Sequence, residues 1–215
     1  MFLCIYCNKQ KGKRSCPALG GLICASCCGQ YRGLRINCPI SCKYFKAHES
    51  YQRERLSAEF HTAWLSATEP LYRQKNYRSI DFIAQLEIAI FRHYRDQTAG
   101  TDREVLDALE FLKRRVSPVL VVETTATALG NELLQAMEEY VKREQLSTEQ
   151  AQEAIEVLLG FLQNRTHTED PRHFLHGLLG QVEKYFELPK EMKETQGKIF
   201  KPSIVTPDQV RGPSN

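Results

Sequence analysis

The first 48 residues contain no aspartate or glutamate, and no cysteine follows Cys42. No apolar run approaches the roughly 18 residues that a membrane-spanning helix needs, so a membrane span is not expected. The opening MFLCIYCNKQ lacks the basic stretch that precedes a secretory h-region, and a cytoplasmic location is expected. The chain lacks a P-loop, a dinucleotide-binding glycine fingerprint, a nucleophile elbow and an HExxH helix, each of which carries a specific chemistry. Their absence, with no other catalytic constellation visible, leaves a non-enzymatic protein without a small-molecule substrate as the expectation.

What is present is divided unevenly. The 215 residues are 42% hydrophobic and 26% charged with a net charge of +3, the composition of a folded soluble chain. Residues 1–48 carry eight bases: Lys9, Lys11, Lys13, Arg14, Arg32, Arg35, Lys43 and Lys46. Residues 187–215 carry five bases against four acids, and 49–186 is left with a net charge of −6. A basic head on an acidic body is a two-part design. The division expected is a zinc-binding head over 1–48, an α-helical domain over 49–186 and an extended or disordered tail over 187–215, where four of the nine prolines fall.

All eight cysteines lie in the head, as Cys4-x2-Cys7-x8-Cys16-x7-Cys24-x2-Cys27-Cys28-x9-Cys38-x3-Cys42. A CxxC knuckle lets two sulfurs share one tetrahedral ion with Zn–S near 2.3 Å. A disulfide framework would need an oxidising compartment, and an iron–sulfur cluster would need ferredoxin-like runs; neither signal is visible, so structural zinc is the preferred reading. Eight sulfurs fill two tetrahedral sites, giving two Zn2+ per chain. In an interleaved arrangement Cys4, Cys7, Cys24 and Cys27 hold one ion, and Cys16, Cys28, Cys38 and Cys42 the other. A sequential alternative assigns Cys4, Cys7, Cys16 and Cys24 to one ion. Interleaving keeps both CxxC pairs whole and lets adjacent Cys27 and Cys28 serve different ions. His48 is a further ligand candidate, set against a plain helix-start residue. Gly20, Gly21 and Gly29 are expected to supply positive φ around the ions, and Leu19, Leu22, Ile23, Leu34, Ile36 and Ile40 to cover them. So small a head cannot build a large apolar core, and metal binding should supply its folding free energy.

The run CNKQKGKRSCPALGGLICASCCGQYRGLRINCPISCKYF, with its preceding CIY, resembles the N-terminus of a bacterial family of cysteine-rich proteins with a CxxC…CPAxGGxICxxCCG…CPxxC module, for which no activity is established. More distantly the interleaved cysteines are similar to HIT-type and MYND-type fingers, a resemblance that implies a cross-brace-like fold around two zincs and a role in protein assembly or RNA-related complexes. The closing Cys38-x3-Cys42 departs from the His-and-Cys ending of those fingers.

From residue 49 the apolar residues recur at helical period. Helices are expected over 51–71, with Pro70 ending or kinking the first; over 79–96; from a capping box at Thr101–Glu104 to Val116, stopped by Ser117-Pro118; over 127–144; from a second capping box at Ser147–Gln150; and after Asp170-Pro171. Val119–Val122 reads as an extended link. The fold class is therefore mainly α: a two-zinc head, then a helical bundle or repeat-like array. Phe60, Trp64 and Tyr72 sit at core spacing rather than as a base-stacking platform. His167, His173 and His176 read as a solvated face rather than a third metal site. The cations of Lys113, Arg114 and Arg115 suit a helix C-terminus.

Two partner classes are compatible with the head. Lys9, Lys11, Lys13 and Arg14, held between ligands, with Arg32 and Arg35 beside Tyr31, form a candidate RNA- or DNA-binding surface. The counter-reading is that these bases balance thiolate charge: two loaded sites add about −4, leaving the head near +4. The expected function is a zinc-binding adaptor whose head contacts RNA, DNA or protein. The alternative is a protein–protein module that works through its acidic helical body, and a nucleic-acid-processing enzyme ranks below both.

Overall fold

A computed structural model describes residues 2–97, 99–116, 125–144, 146–167 and 169–187. The expectations for Ser117-Pro118, for Val119–Val122 and for the tail beyond residue 187 lie outside the described residues. The protein is mainly helical. A hairpin of β1 (Arg14–Cys16) and β2 (Gly21–Ile23) is followed by a short helix α1 (Ala25–Tyr31). Among the described residues six longer helices follow: α2 (Lys43–Arg73), α3 (Tyr77–Tyr94), α4 (Asp102–Val116), α5 (Ala128–Glu144), α6 (Thr148–Gln163) and α7 (His173–Tyr185). The strands are antiparallel, with Ser15 opposite Leu22.

Helix α3 is the centre of the bundle. Ile80, Phe82, Ile83, Leu86, Ile88, Ile90 and Phe91 are buried around most of its circumference, the mark of a helix enclosed by others. It packs against α2, α5, α6 and α7, while α4 rests on α5 and α6. The closest pairing is α2 with α7. It is made possible by Gly177 and Gly180: a Cβ on Gly177 would enter the Phe60 ring, and one on Gly180 would collide with the Arg53 carbonyl. Phe60 and Trp64 are buried in this core and Tyr72 packs against it, which bears out their core reading.

The helix signals are largely satisfied. Ser147 accepts the Gln150 N–H while Gln150 Oε1 accepts the Ser147 N–H. Thr101 Oγ1 accepts from the Glu104 N–H at 3.3 Å, and Thr127 Oγ1 from Gly130 at 3.0 Å. Three differences have local causes. Helix α2 begins at Lys43 rather than Tyr51, because its first turn serves the head, where Phe45 is buried. Pro70 lies inside α2, which continues to Arg73. Near its end Pro70 costs the helix one N–H bond, and its carbonyl still accepts from Gln74. Helix α7 starts at His173 rather than beside Pro171. Its leading amides, Phe174 and Leu175, donate to the Asp102 carboxylate at 3.0 and 2.9 Å, so its cap comes from the start of α4.

The histidine expectation is corrected in part. His173 lies near Asp170 (3.8 Å) and against the His167 ring. His176 is buried, not solvated: its Nε2 is 3.2 Å from both Glu49 oxygens, and Arg172 Nη1 is 3.1 Å from Glu49 Oε2. Glu49, on α2 just past the head, is thereby tied to α7. Beside it a cleft of about 630 Å³ lies between the two cores, lined by Phe45, Lys46, Glu49, Arg53, Phe91 and Arg95 among others.

Candidate metal centre

The head has its own core, separate from that of the bundle. Among the described residues it consists of Cys4, Cys16, Cys24, Cys27, Cys28, Cys38 and Cys42 with three other buried apolar side chains, Ile23, Ile36 and Phe45. All eight sulfurs are free thiols. So many thiols packed with so little hydrocarbon do not make an ordinary hydrophobic core.

Cys4, Cys7, Cys24 and Cys27 have Sγ atoms within 4.8 Å of one another. Four bonds of about 2.3 Å in a tetrahedron give sulfur–sulfur edges of about 3.8 Å, so this group suits one tetrahedral ion. Each ligand is delivered by a local device. Cys4 and Cys7 lie on a turn closed by the Asn8 N–H on the Cys4 carbonyl at 2.8 Å, and Asn8 takes a positive φ of 51°. Cys24 precedes α1, and its Sγ accepts the Cys27 N–H at 3.4 Å. Burial acts to raise the Cys4 thiol, but donation from the amides of Cys24, Cys7 and Tyr6 outweighs it and brings the thiol down to about 6. The amides of Lys9 and Gln10 lower Cys7 in the same way. Burial, then the neighbouring thiols, push Cys27 up to about 12. Amide donation thus moves Cys4 and Cys7 toward ionisation, while Cys27 resists it among its neighbours. A divalent cation would resolve that conflict, because a coordinating thiol is deprotonated outright.

The other four cysteines meet elsewhere. Cys27 and Cys28 are adjacent on α1 and, at about 100° per residue, point to different places. Cys28, Cys16, Cys38 and Cys42 line one enclosed cavity of about 10 Å³, walled also by Ile23, Ile36, Tyr44 and Phe45, room for about one atom. Cys42 directly precedes the first turn of α2. Burial, with the charges of Cys42, Cys16 and Cys28, raises the Cys38 thiol, against a donation from the Gly33 amide. This quartet is looser: among the described residues Cys4, Cys7, Cys24 and Cys27 are the one group of metal-ligating side chains whose donor atoms all lie within 4.8 Å. The first tetrad is the interleaved one, since Cys16 stands outside it.

His48 faces Arg32, Glu49, His176 and Asp170, and its pKa is lowered chiefly by burial and then by the Arg32 charge; it is not part of the tetrad. Gly20 takes a positive φ, as expected, but Gly21 and Gly29 do not. The other head glycine that does is Gly33, at φ 67°, where a Cβ would also meet the Phe45 ring at 2.7 Å. Of the apolar residues expected to cover the metals, Ile23 and Ile36 are buried among the cysteines and Leu22 is half-buried, whereas Leu19, Leu34 and Ile40 are exposed.

The proposed nucleic-acid residues divide. Lys9, Lys11, Lys13 and Arg35 are exposed and Arg14 is half-buried. Arg32 is engaged within the head: its Nε donates to the Cys28 carbonyl at 3.0 Å and its Nη1 to the Tyr44 carbonyl at 2.8 Å, bracing α1 against α2. Sequence reasoning missed this brace and the buried Glu49–Arg172–His176 contact, because each joins positions with no shared local motif.

No protein-family profile matches this chain, and neither the curated proteins nor the solved structures include a match to it. The resemblance to cysteine-rich modules and two-zinc fingers therefore rests on the motif alone; the geometry shows that Cys4, Cys7, Cys24 and Cys27 are placed to bind a metal. Among the described residues no helix is long and apolar enough to cross a membrane.

Proposed function

We propose that this protein is a non-enzymatic adaptor whose head, folded around two Zn2+ ions, recognises a partner while the acidic helical body carries it. Cys4, Cys7, Cys24 and Cys27 would hold the first ion, and Cys16, Cys28, Cys38 and Cys42 the second. Four thiolates close the coordination of each ion, leaving no open position for water or substrate, so the ions supply folding free energy rather than catalysis. The observation that carries this reading is the cysteine tetrad, four convergent sulfurs with amide donors aimed at them. The unbalanced charge of the head supports an anionic partner: Lys9, Lys11, Lys13 and Arg35 are exposed, and no acid precedes Glu49.

The test is metal analysis of the purified chain joined to a binding assay. Two zinc ions per chain, with partner binding abolished by a chelator, are expected. Binding that survives loss of the metal would move recognition to the helical body.

A further inference from the structure

The two parts of the molecule differ in what they leave in water. The described body exposes two large hydrophobic side chains, Tyr51 and Tyr77, each with a hydroxyl of its own. The head exposes Phe2 (76%), Leu3 (55%), Ile5 (42%), Leu19 (40%) and Leu34 (63%), with Tyr6 and Ile40 besides. Single exposed apolar residues are ordinary, but an apolar patch rimmed by charge marks an interaction site.

These residues are held in place and bordered by cations. From Phe2 to Tyr6 every residue is exposed except the ligand Cys4. Leu3 forms an antiparallel bridge with Lys11, and the Gly12 N–H donates to the Phe2 carbonyl at 3.1 Å. On the other side the Ile5 N–H donates to the Leu22 carbonyl at 3.0 Å, and the Ile5 side chain lies 3.1 Å from where a Gly21 Cβ would stand. The strip therefore runs between the Lys9–Lys13 loop and β2, fixed by backbone bonds and anchored at both ends of the first knuckle by a tetrad ligand.

The tyrosine rings of the head are already occupied. Tyr31 stacks on Tyr6 at 4.7 Å and carries the Arg35 guanidinium at 5.5 Å. Tyr44 carries Arg14 at 4.6 Å and Lys43 at 5.1 Å. Single-stranded nucleic acid is gripped by bases stacking on open aromatic faces, with cations tracking the backbone. Here Tyr6, Tyr31 and Tyr44 are engaged with one another or with cations, so Phe2 is left as the open ring of the described head, and the exposed aliphatic side chains beside it offer phosphate nothing. Carboxylates beside apolar side chains would satisfy both the lysines and the strip.

From these contacts we propose that the first knuckle of the head binds an acidic polypeptide segment that lays apolar side chains over Phe2, Leu3 and Ile5 while its carboxylates meet Lys9, Lys11 and Lys13. This rests on the head being a metal-stabilised recognition unit and names the chemistry of its partner.

The test uses the zinc-loaded full chain and three fluorescent probes of equal charge, read by anisotropy. One is a peptide pool with Asp or Glu alternating with Leu, Ile or Phe. The second is the same pool with Ser at the apolar positions, and the third is a mixed single-stranded oligonucleotide. The apolar–acidic pool should bind at least about tenfold more tightly than the serine pool, as burial of two apolar side chains implies. The double variant Phe2→Ser, Leu3→Ser should abolish that preference with zinc content unchanged. If that variant loses metal, Lys11→Ser, Lys13→Ser tests the charge half, and a loss of about tenfold for both acidic pools is expected. Tighter binding of the oligonucleotide, or equal binding of the two peptide pools, overturns the inference and leaves the recognition head standing. Self-association of the chain that the Phe2→Ser, Leu3→Ser variant abolishes also overturns it, by making a second copy the occupant. Binding of none of the three probes, with no self-association, removes the recognition reading as well.

Discussion

The head and the helical body solve the same problem with different materials. The body buries residues such as Phe82, Leu86, Ile90, Leu109, Leu158 and Leu178 in one continuous core, and apolar area alone can hold it. The head buries seven cysteines with Ile23, Ile36 and Phe45, too little hydrocarbon to offset the entropy of ordering its chain. On the proposed reading, the buried cysteines of the head are donors first and hydrophobes second. The contrast also explains why so many apolar residues of the head remain outside: they do not form its core, and α2, which begins inside the head and continues along the bundle, joins the two systems.

The sharpest way to break this contrast is to remove the metal. Chelation, or Cys24→Ser, should unfold residues 2–42 and leave most of the helical circular dichroism intact. Loss of most of the helix signal would mean that the two cores fold as one through α2. Gly180→Ala acts on the other side of the comparison. With the Arg53 carbonyl where the new methyl would go, α2 and α7 must separate, and a loss of about 1–3 kcal/mol in denaturant unfolding is expected, with zinc content unchanged. Smaller again is Ser147→Ala, which removes half of a capping box and should cost about 1 kcal/mol in the same measurement.

A fourth test concerns a buried acid of the body. Glu87 is fully enclosed, its Oε1 accepting from Gln181 Nε2 at 3.1 Å, and burial raises its carboxyl well above the ordinary range. The folded state therefore keeps the proton that the unfolded chain releases. Stability from this group is full below the unfolded-state pKa and declines as pH rises through the folded-state pKa. Glu87→Gln should match the parent near pH 4 and melt higher than it near pH 8. Equal pH profiles for the two would show that Glu87 does not drive this dependence.

Legibility from sequence follows the same division. The helices of the body were readable because period, capping boxes and breakers are local: Ser147–Gln150 works as its four residues imply. The tetrad was readable as the preferred of two pairings, because it keeps both CxxC pairs whole and because adjacent Cys27 and Cys28 diverge on a helix. Contacts between distant positions were not readable. Nothing near Arg172 announces that Asp102 will cap α7, nothing near His176 announces Glu49, and Arg32 reads as a free cation until its two carbonyl partners are brought to it. The exposure of Leu19, Leu34 and Ile40 was equally hidden, since hydrophobicity alone does not say whether a side chain covers a metal or a partner.

The central claim, that the head is built around two metal ions rather than a hydrocarbon core, is tested most directly by native mass spectrometry of the full chain, with the metal identified by elemental analysis. Two zinc ions per chain are expected, both lost on acidification, with eight titratable thiols then recovered. A single ion, iron with visible absorbance, or a metal-free chain whose head stays folded would contradict it.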